Sequence, residues 1–231
     1  SEKQSVTFTN VSKQQIEQKN LGQDIPYIIN ITPSLTVTSD AGTGIGYTNF
    51  RIRGSDITRI NVTVNGIPVN DPESHGVWFV DMPDFISNVE NIQIQRGVGT
   101  STNGTSAFGA SISLQTANNS ETPYSYISSS FGSFNTLKNT IGLGTGLINN
   151  HWSFDLRLSK LSSDGYIQRA TSNLKSLYSS FCYYQKKFSV KAIAFSGLEK
   201  TYQAWNGVPE DSLTTNRRYN PYTYPNQTDN Y

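Results

Sequence analysis

The run at residues 152–159, WSFDLRLS, alternates without a break. Trp152, Phe154, Leu156 and Leu158 fall on one side of an extended chain, and Ser153, Asp155, Arg157 and Ser159 fall on the other. A strict period of two marks a strand with one apolar and one polar face. The run before it keeps the pattern. Leu137, Asn139, Ile141, Leu143 and Leu147 share one side; Lys138, Thr140, Gly142, Gly144 and Gly146 share the other. Asn149-Asn150 is predicted as a tight turn between them. Further strands are predicted at 124–131, 174–185 and 188–198, with Gln185-Lys186-Lys187 as a second tight turn. Two joints are therefore very short, whereas 161–173 and the chain from 199 onward are long and polar. Short turns on one side and long loops on the other fit a transmembrane β-barrel. A soluble β-sandwich gives the same alternation, and these strands alone leave both open. Single-chain bacterial barrels have an even number of strands, from eight upward. On the barrel reading, five strands are a piece of a longer protein whose Asn-, Pro- and Tyr-rich end lies in an exposed loop.

Composition agrees with a strand-rich chain. Of 231 residues, 35% are hydrophobic and 15% charged, both low for a globular protein. Aromatics at 12% and a net charge of +1 argue against disorder. Residues 1–120 hold seven Lys/Arg and ten Asp/Glu, and residues 121–231 hold eleven and seven. Neither half is basic enough for nucleic acid. The single cysteine, Cys182, forms no internal disulfide and no cysteine-based metal cluster. No apolar run reaches the roughly 18 residues of a membrane helix, which does not bear on a barrel. No signal peptide opens the chain at Ser1, so a mature or trimmed start is expected.

Residues 1–120 have a different grammar and predict a mixed α+β domain. Ser12 and Gln15 form a capping-box pattern for a helix over 12–19. Asp24 is placed to cap a second helix through Asn30, with Pro26 in its first turn. Strands are predicted at 35–38, 49–53, 60–64, 89–95 and 111–115, and Asn65-Gly66 turns a hairpin. Glycine-rich connections lie at 41–46, 96–104 and 108–110. The segment RGVGTSTNGTS lacks the lysine of a phosphate loop. Asp71, Glu73 and His75 would share a face if extended, but Pro72 interrupts them and no fourth ligand is evident, so no metal is expected. No nucleophile elbow or convergent catalytic set is present, so an enzyme is not expected. Arg53-Gly54 and Arg96-Gly97 each end a strand-like run. They read either as solvated strand ends or as guanidiniums paired with carboxylates in an interior interface.

These pieces, in this order, resemble the plug domain of a TonB-dependent outer-membrane receptor followed by the first strands of its barrel. The carriers are DIPYIINITPSL (24–35), FRIRG (50–54), INVTVNGIPVND (60–71) and VDMPDFISNVENIQIQRGVGTSTNGTSAFGASISLQT (80–116). Asn65 stands where the family more often has Asp, and FGAS replaces a double glycine. The piece EKTYQAWNGVPEDSL (199–213) is similar to receptors of the Bacteroidetes type. No TonB box is clear before Ser5.

The resemblance implies a plug over 1–120 and, over 121–231, about five strands of what would be a 22-stranded barrel in the bacterial outer membrane. It implies a transporter rather than an enzyme, without a cofactor, driven by the TonB–ExbB–ExbD complex and carrying a small molecule such as a ferric siderophore. Cobalamin, haem, glycan or peptide are the alternative cargoes, and a soluble secreted β-rich binding or adhesion protein is the alternative class. Cargo contacts are expected from Thr43, Tyr47, Glu73, Ser74, His75 and Trp78 of the plug and from Tyr202 and Trp205 of a barrel loop. Arg53, Arg96 and Glu90 are expected at the plug–barrel interface, with both guanidiniums facing barrel carboxylates.

Overall fold

The computed structural model describes residues 7–98 and 108–222. Strand β1 (Phe8–Ser12) opens the chain and runs into helix α1 (Lys13–Lys19). β1 was not predicted: FTNVS has no clear alternation, and it is a strand because it pairs antiparallel with β6 (Val89–Arg96). The capping box at the start of α1 forms as expected. Ser12 N donates to Gln15 Oε1 at 2.9 Å, and Gln15 N donates to Ser12 Oγ at 3.5 Å. Helix α2 is one turn, Ile25–Ile28, shorter than predicted. Asp24 stands at its N-cap but makes no side-chain cap bond. Its carboxylate turns inward and accepts from Thr48 Oγ at 2.9 Å.

Strands β2 (Leu35–Ser39) and β3 (Thr48–Ile52) pair as a separate hairpin. β4 (Ile60–Val64), β5 (Ile67–Pro68) and β7 (Ala110–Thr116) complete a five-stranded sheet in the order β1-β6-β7-β4-β5, with β4 parallel to β7. Asn65 and Gly66 both have positive φ, 50° and 83°, the geometry of a type I′ hairpin turn. The Asn65 side chain bonds Thr116 at two points, 2.9 Å each, and pins this turn to the end of β7. Pairing along β6 slips between Val89 and Asn91. One extra residue there lets Val89 and then Ile92 and Ile94 all point to the core, despite their odd and even numbers. The apolar centre of the domain is built from these with Val11, Ile28, Phe50, Ile60, Ile112 and Leu114.

The second unit is a curved wall of antiparallel strands: β8 (Tyr124–Gly132), β9 (Thr136–Gly144), β10 (Trp152–Ser163), β11 (Ser172–Tyr184) and β12 (Ser189–Thr201), side by side in chain order. One end carries the connection with Asn149-Asn150, both at positive φ, and the 185–188 turn. The other end carries residues 164–171 and the chain beyond Thr201. The β8–β9 connection, 133–135, is also short yet lies at this second end, because Phe134 and Asn135 adopt positive φ and close the hairpin in three residues. The wall's outer face exposes Ile127, Ile141, Trp152, Phe154, Leu158, Leu177 and Phe181. Its inner face, lined by Thr140, Ser153, Ser159 and Ser180, packs on the first domain. The glycine-rich segment at 96–104 lies mostly outside the described residues, as do the region before Ser5 and the end of the chain.

Candidate functional site

The two units meet across a polar seam centred on the 3-10 turn Phe85–Asn88. Lys138 Nζ, from the inner face of β9, lies 2.6 Å from Asp84 Oδ1, with side-chain exposures of 9% and 2%. Asp84 also accepts from Ser87 Oγ and from Ser159 Oγ of β10. Lys138 also donates to Asn20 Oδ1 at 2.9 Å. A buried pair so fully hydrogen-bonded holds, whereas removing one partner strands a buried charge. Beside it, Arg157 donates to Ser87 O and Asn88 Oδ1, and through Nε to the Tyr126 hydroxyl at 2.7 Å. Lys191 of β12 donates to Ala117 O at 2.7 Å. The seam has one aromatic centre, where Phe85 packs edge-on against Phe195 with ring centroids 5.2 Å apart.

The residues expected at the plug–barrel interface do not touch this part of the wall. Glu90 is the extra residue of the β6 bulge and is exposed. Arg53 is exposed with φ at 51°. Arg96 is half-buried and donates to Pro33 O at 3.3 Å. Among the described residues, none of the three bonds to β8–β12, and neither arginine pairs with a carboxylate. Asp84 and Lys138 were missed. The available signal was a lysine on the side of a wall strand otherwise lined by Thr and Gly, the side that faces the plug.

At the end of the wall carrying the longer connections, the β2–β3 loop is clamped under the barrel loops. Gly44 and Gly46 have φ of 79° and 90°, and side chains there would meet the Tyr27 ring at 2.9 Å and Ser172 Oγ at 2.9 Å. Between them Ile45 inserts against Leu161 and Leu174. Tyr47 then emerges and meets Trp205 edge-on, ring centroids 5.7 Å apart. A cleft of about 460 Å³ opens here, lined by Asp40, Tyr47, Asn49, Trp78, Asp81 and Trp205 among others. Trp78 and Trp205 are 49% and 50% exposed. Burial pushes the Asp40 carboxyl above its ordinary range. It does the same to the Tyr47 hydroxyl, helped by the carboxylates of Glu199 and Asp81, while a hydrogen bond with Thr201 opposes. Beneath the cleft, burial raises the Asp24 carboxyl well above its usual value; the bond from Thr48 opposes this and the charge of Glu199 adds to it.

Of the eight residues expected to contact cargo, the structure brings Tyr47, Trp78 and Trp205 together. Thr43 lies within the β2–β3 loop, where its carbonyl accepts from Gln23 Nε2 at 3.1 Å. Tyr202 faces a different depression, donates to Tyr222 O at 3.0 Å, and lies under the Arg169 guanidinium at 4.8 Å. Glu73, Ser74 and His75 are exposed in their own turn. Asp71 Oδ1 caps that turn, accepting from Glu73 N at 3.0 Å and Ser74 N at 2.6 Å. The backbone folds back at His75, with φ at 60°, so Asp71, Glu73 and His75 do not line up on one face. Among the described residues no group of three or more His, Cys, Asp or Glu side chains is placed to hold a metal.

A mixed domain seated by a polar seam on the inner face of an apolar-backed antiparallel wall is the arrangement of a plugged outer-membrane barrel. Residues 1–111 match the family model described as the TonB-dependent Receptor Plug Domain. Residues 1–111 thus form the plug domain of the TonB-dependent receptor family, and the strands after it are arranged like the first strands of such a receptor's barrel. By sequence, no curated protein matches it. Among solved structures it is similar to the ferric preacinetobactin receptor of Acinetobacter baumannii: TM-score 0.69, 15% identity, covering 85% of this chain and 28% of that one. The ferric yersiniabactin uptake receptor of Yersinia pestis gives TM-score 0.68 and 14% identity over 84% of this chain and 32% of that one. The pyoverdine outer membrane receptor of Pseudomonas aeruginosa PAO1, bound to pyoverdine, gives 0.68 and 15% over 83% and 27%. At these identities the likeness is one of fold, and the chain spans about a third or less of the length of these receptors.

Proposed function

We propose that this chain belongs to an outer-membrane transporter that takes up a ferric siderophore or similar iron chelate, with the plug gating the barrel and the TonB–ExbB–ExbD complex supplying the pull. It performs no covalent chemistry. The observation that carries the cargo site is the cleft in which Tyr47 and Trp78 of the plug face Trp205 of a barrel loop. Three aromatic faces over a half-polar floor offer stacking surface for a planar or ring-bearing chelate. Asp40 and Asp81 disfavour a strongly anionic one. The solved structures of similar fold are named for iron chelates, which supports the same cargo class. The turn with Glu73, Ser74 and His75 closely precedes Trp78 and serves as an outlying contact.

The test uses the full-length receptor in outer membranes. Growth on single iron chelates, with and without an energised TonB system, identifies the cargo, and binding is then measured directly. Tyr47→Ala with Trp78→Ala and Trp205→Ala is expected to weaken binding far more than joint replacement of Glu73, Ser74 and His75. The reverse order would move the site out of the cleft. Uptake of cobalamin or haem in place of every iron chelate would overturn the cargo class.

A further inference from the structure

The outward positions of the five wall strands carry no Asp or Glu. Their charged side chains are three lysines, Lys160, Lys175 and Lys200, and all lie toward the end with the longer connections. Lys160 and Lys175 stand directly opposite each other on β10 and β11. Lys175 is opposite Leu198, and Lys200 is the next residue on that face of β12. Like charges directly opposite on a sheet repel. All three are exposed, and among the described residues none forms an ion pair with a carboxylate.

Their height on the wall is informative. Trp152 and Tyr183 pack at 4.1 Å between ring centroids near the other end of the outer face. From Trp152 to Lys160 the outward side chains are Phe154, Leu156 and Leu158. At about 3.3 Å per residue that run spans roughly 26 Å along the strand, or about 20 Å of height at a tilt of 40°. The apolar band of an outer-membrane barrel is about 25 Å tall and is bordered by aromatic residues. The lysines therefore stand at its far border, where headgroups begin. Just beside them is a shallow outward depression of about 430 Å³, with Ile141, Leu158, Leu177 and Leu198 on its floor and Lys160 and Lys175 at its edge.

We propose that Lys160, Lys175 and Lys200 bind the phosphate headgroup of an anionic membrane lipid on the outer wall of the barrel, with its acyl chain lying in the apolar depression. A phosphate between two facing ammonium groups turns their repulsion into a shared charge-assisted contact. The lysine stems lie along apolar surface and keep the charge in the headgroup layer. The adjoining apolar floor favours a lipid over a free anion, which would leave that floor bare. The inference rests on the membrane-barrel reading under "Proposed function".

The test uses the full-length receptor placed in nanodiscs of neutral lipid, then titrated with phosphatidylglycerol and followed by native mass spectrometry of bound lipid. Failure to enter the nanodisc sinks the barrel reading and the lipid site with it. If the receptor enters, Lys160→Gln with Lys175→Gln is expected to bind phosphatidylglycerol roughly thirtyfold more weakly, at about tenfold for 1.4 kcal/mol and about 1 kcal/mol per lysine near an anionic surface. Lys186→Gln with Lys187→Gln, in the turn at the opposite end, is expected to leave that affinity unchanged. Wild-type affinity in the first variant, or an equal loss in the second, overturns the site. Competition by millimolar inorganic phosphate overturns the lipid assignment in favour of a free anion.

Discussion

Lys138 of the barrel wall and Asp84 of the plug form a buried ion pair at 2.6 Å, and between them they engage both strands β9 and β10. Removing one partner of such a pair costs about 3–5 kcal/mol, because the other is left as an uncompensated buried charge. Lys138→Met and Asp84→Leu are each expected to loosen the plug, seen as faster limited proteolysis of the plug in the full receptor. The double variant is expected to lose less than the two single losses added together. Simple additivity would show that the pair does not couple plug to wall.

The buried Asp24 carboxyl predicts a pH dependence. Its value in the folded protein is raised, so its contribution to stability is fully present below its unfolded value of about 3.9 and is lost as pH rises through the folded value. Asp24→Asn keeps an acceptor for Thr48 and cannot ionise beside Glu199. Thermal unfolding of both proteins from pH 4 to 8 is expected to show the variant gaining on wild type as pH rises. A difference constant across that range would count against a titrating Asp24.

Leu156 and Arg157 are neighbours in sequence on opposite faces of β10. If the outer face meets lipid, Leu156→Arg near the midplane impairs insertion by about 2–4 kcal/mol. Arg157→Leu is expected to leave insertion intact and to loosen the plug, since Arg157 donates to Ser87 and Asn88. Membrane fractionation together with plug proteolysis separates the two effects. Equal insertion defects would refute the assignment of faces.

Arg53 and Arg96 ended strands in a way that suggested carboxylate partners. Arg53 Nη1 lies 3.4 Å from where a side chain on Gly97 would begin, so the two arginines border one patch of the plug. We propose that this patch meets acidic residues of the full barrel. Arg53→Ala with Arg96→Ala is then expected to raise permeability to large antibiotics. Wild-type permeability, with both side chains in open solvent in a structure of the full receptor, would defeat the idea.

The wall strands were legible because their alternation is imposed from both sides: Trp152, Phe154 and Leu158 turn outward, and Ser153 and Ser159 turn toward the plug. The Asn65-Gly66 and Asn149-Asn150 turns were legible because few residues tolerate two successive positive φ angles. Pairings between distant segments were not. Glu90 stands in a one-residue slip of β6 that turns it away from the domain core, and nothing local announces a bulge. Asp24 sat at a helix start, where a cap is the local expectation, yet Thr48, brought close only by the fold, takes its carboxylate. Aromatics near the loops pointed to the cleft, but not to which of them would share it: Tyr47, Trp78 and Trp205 converge, while Tyr202 turns to Tyr222.

Short hydroxyl side chains recur along the inner wall between its charged and aromatic contacts: Thr140 and Ser159 face each other at 3.1 Å, Thr136 and Ser163 at 2.9 Å, and Ser180 donates to Asn119 of the linker at 2.5 Å. Water is able to replace each such contact singly, with no large apolar surface laid bare. Apolar constrictions close by drying. A corridor bared along this wall would instead fill with water as it formed, so the obstacle to a polar solute would be the plug itself and not the lining it leaves behind.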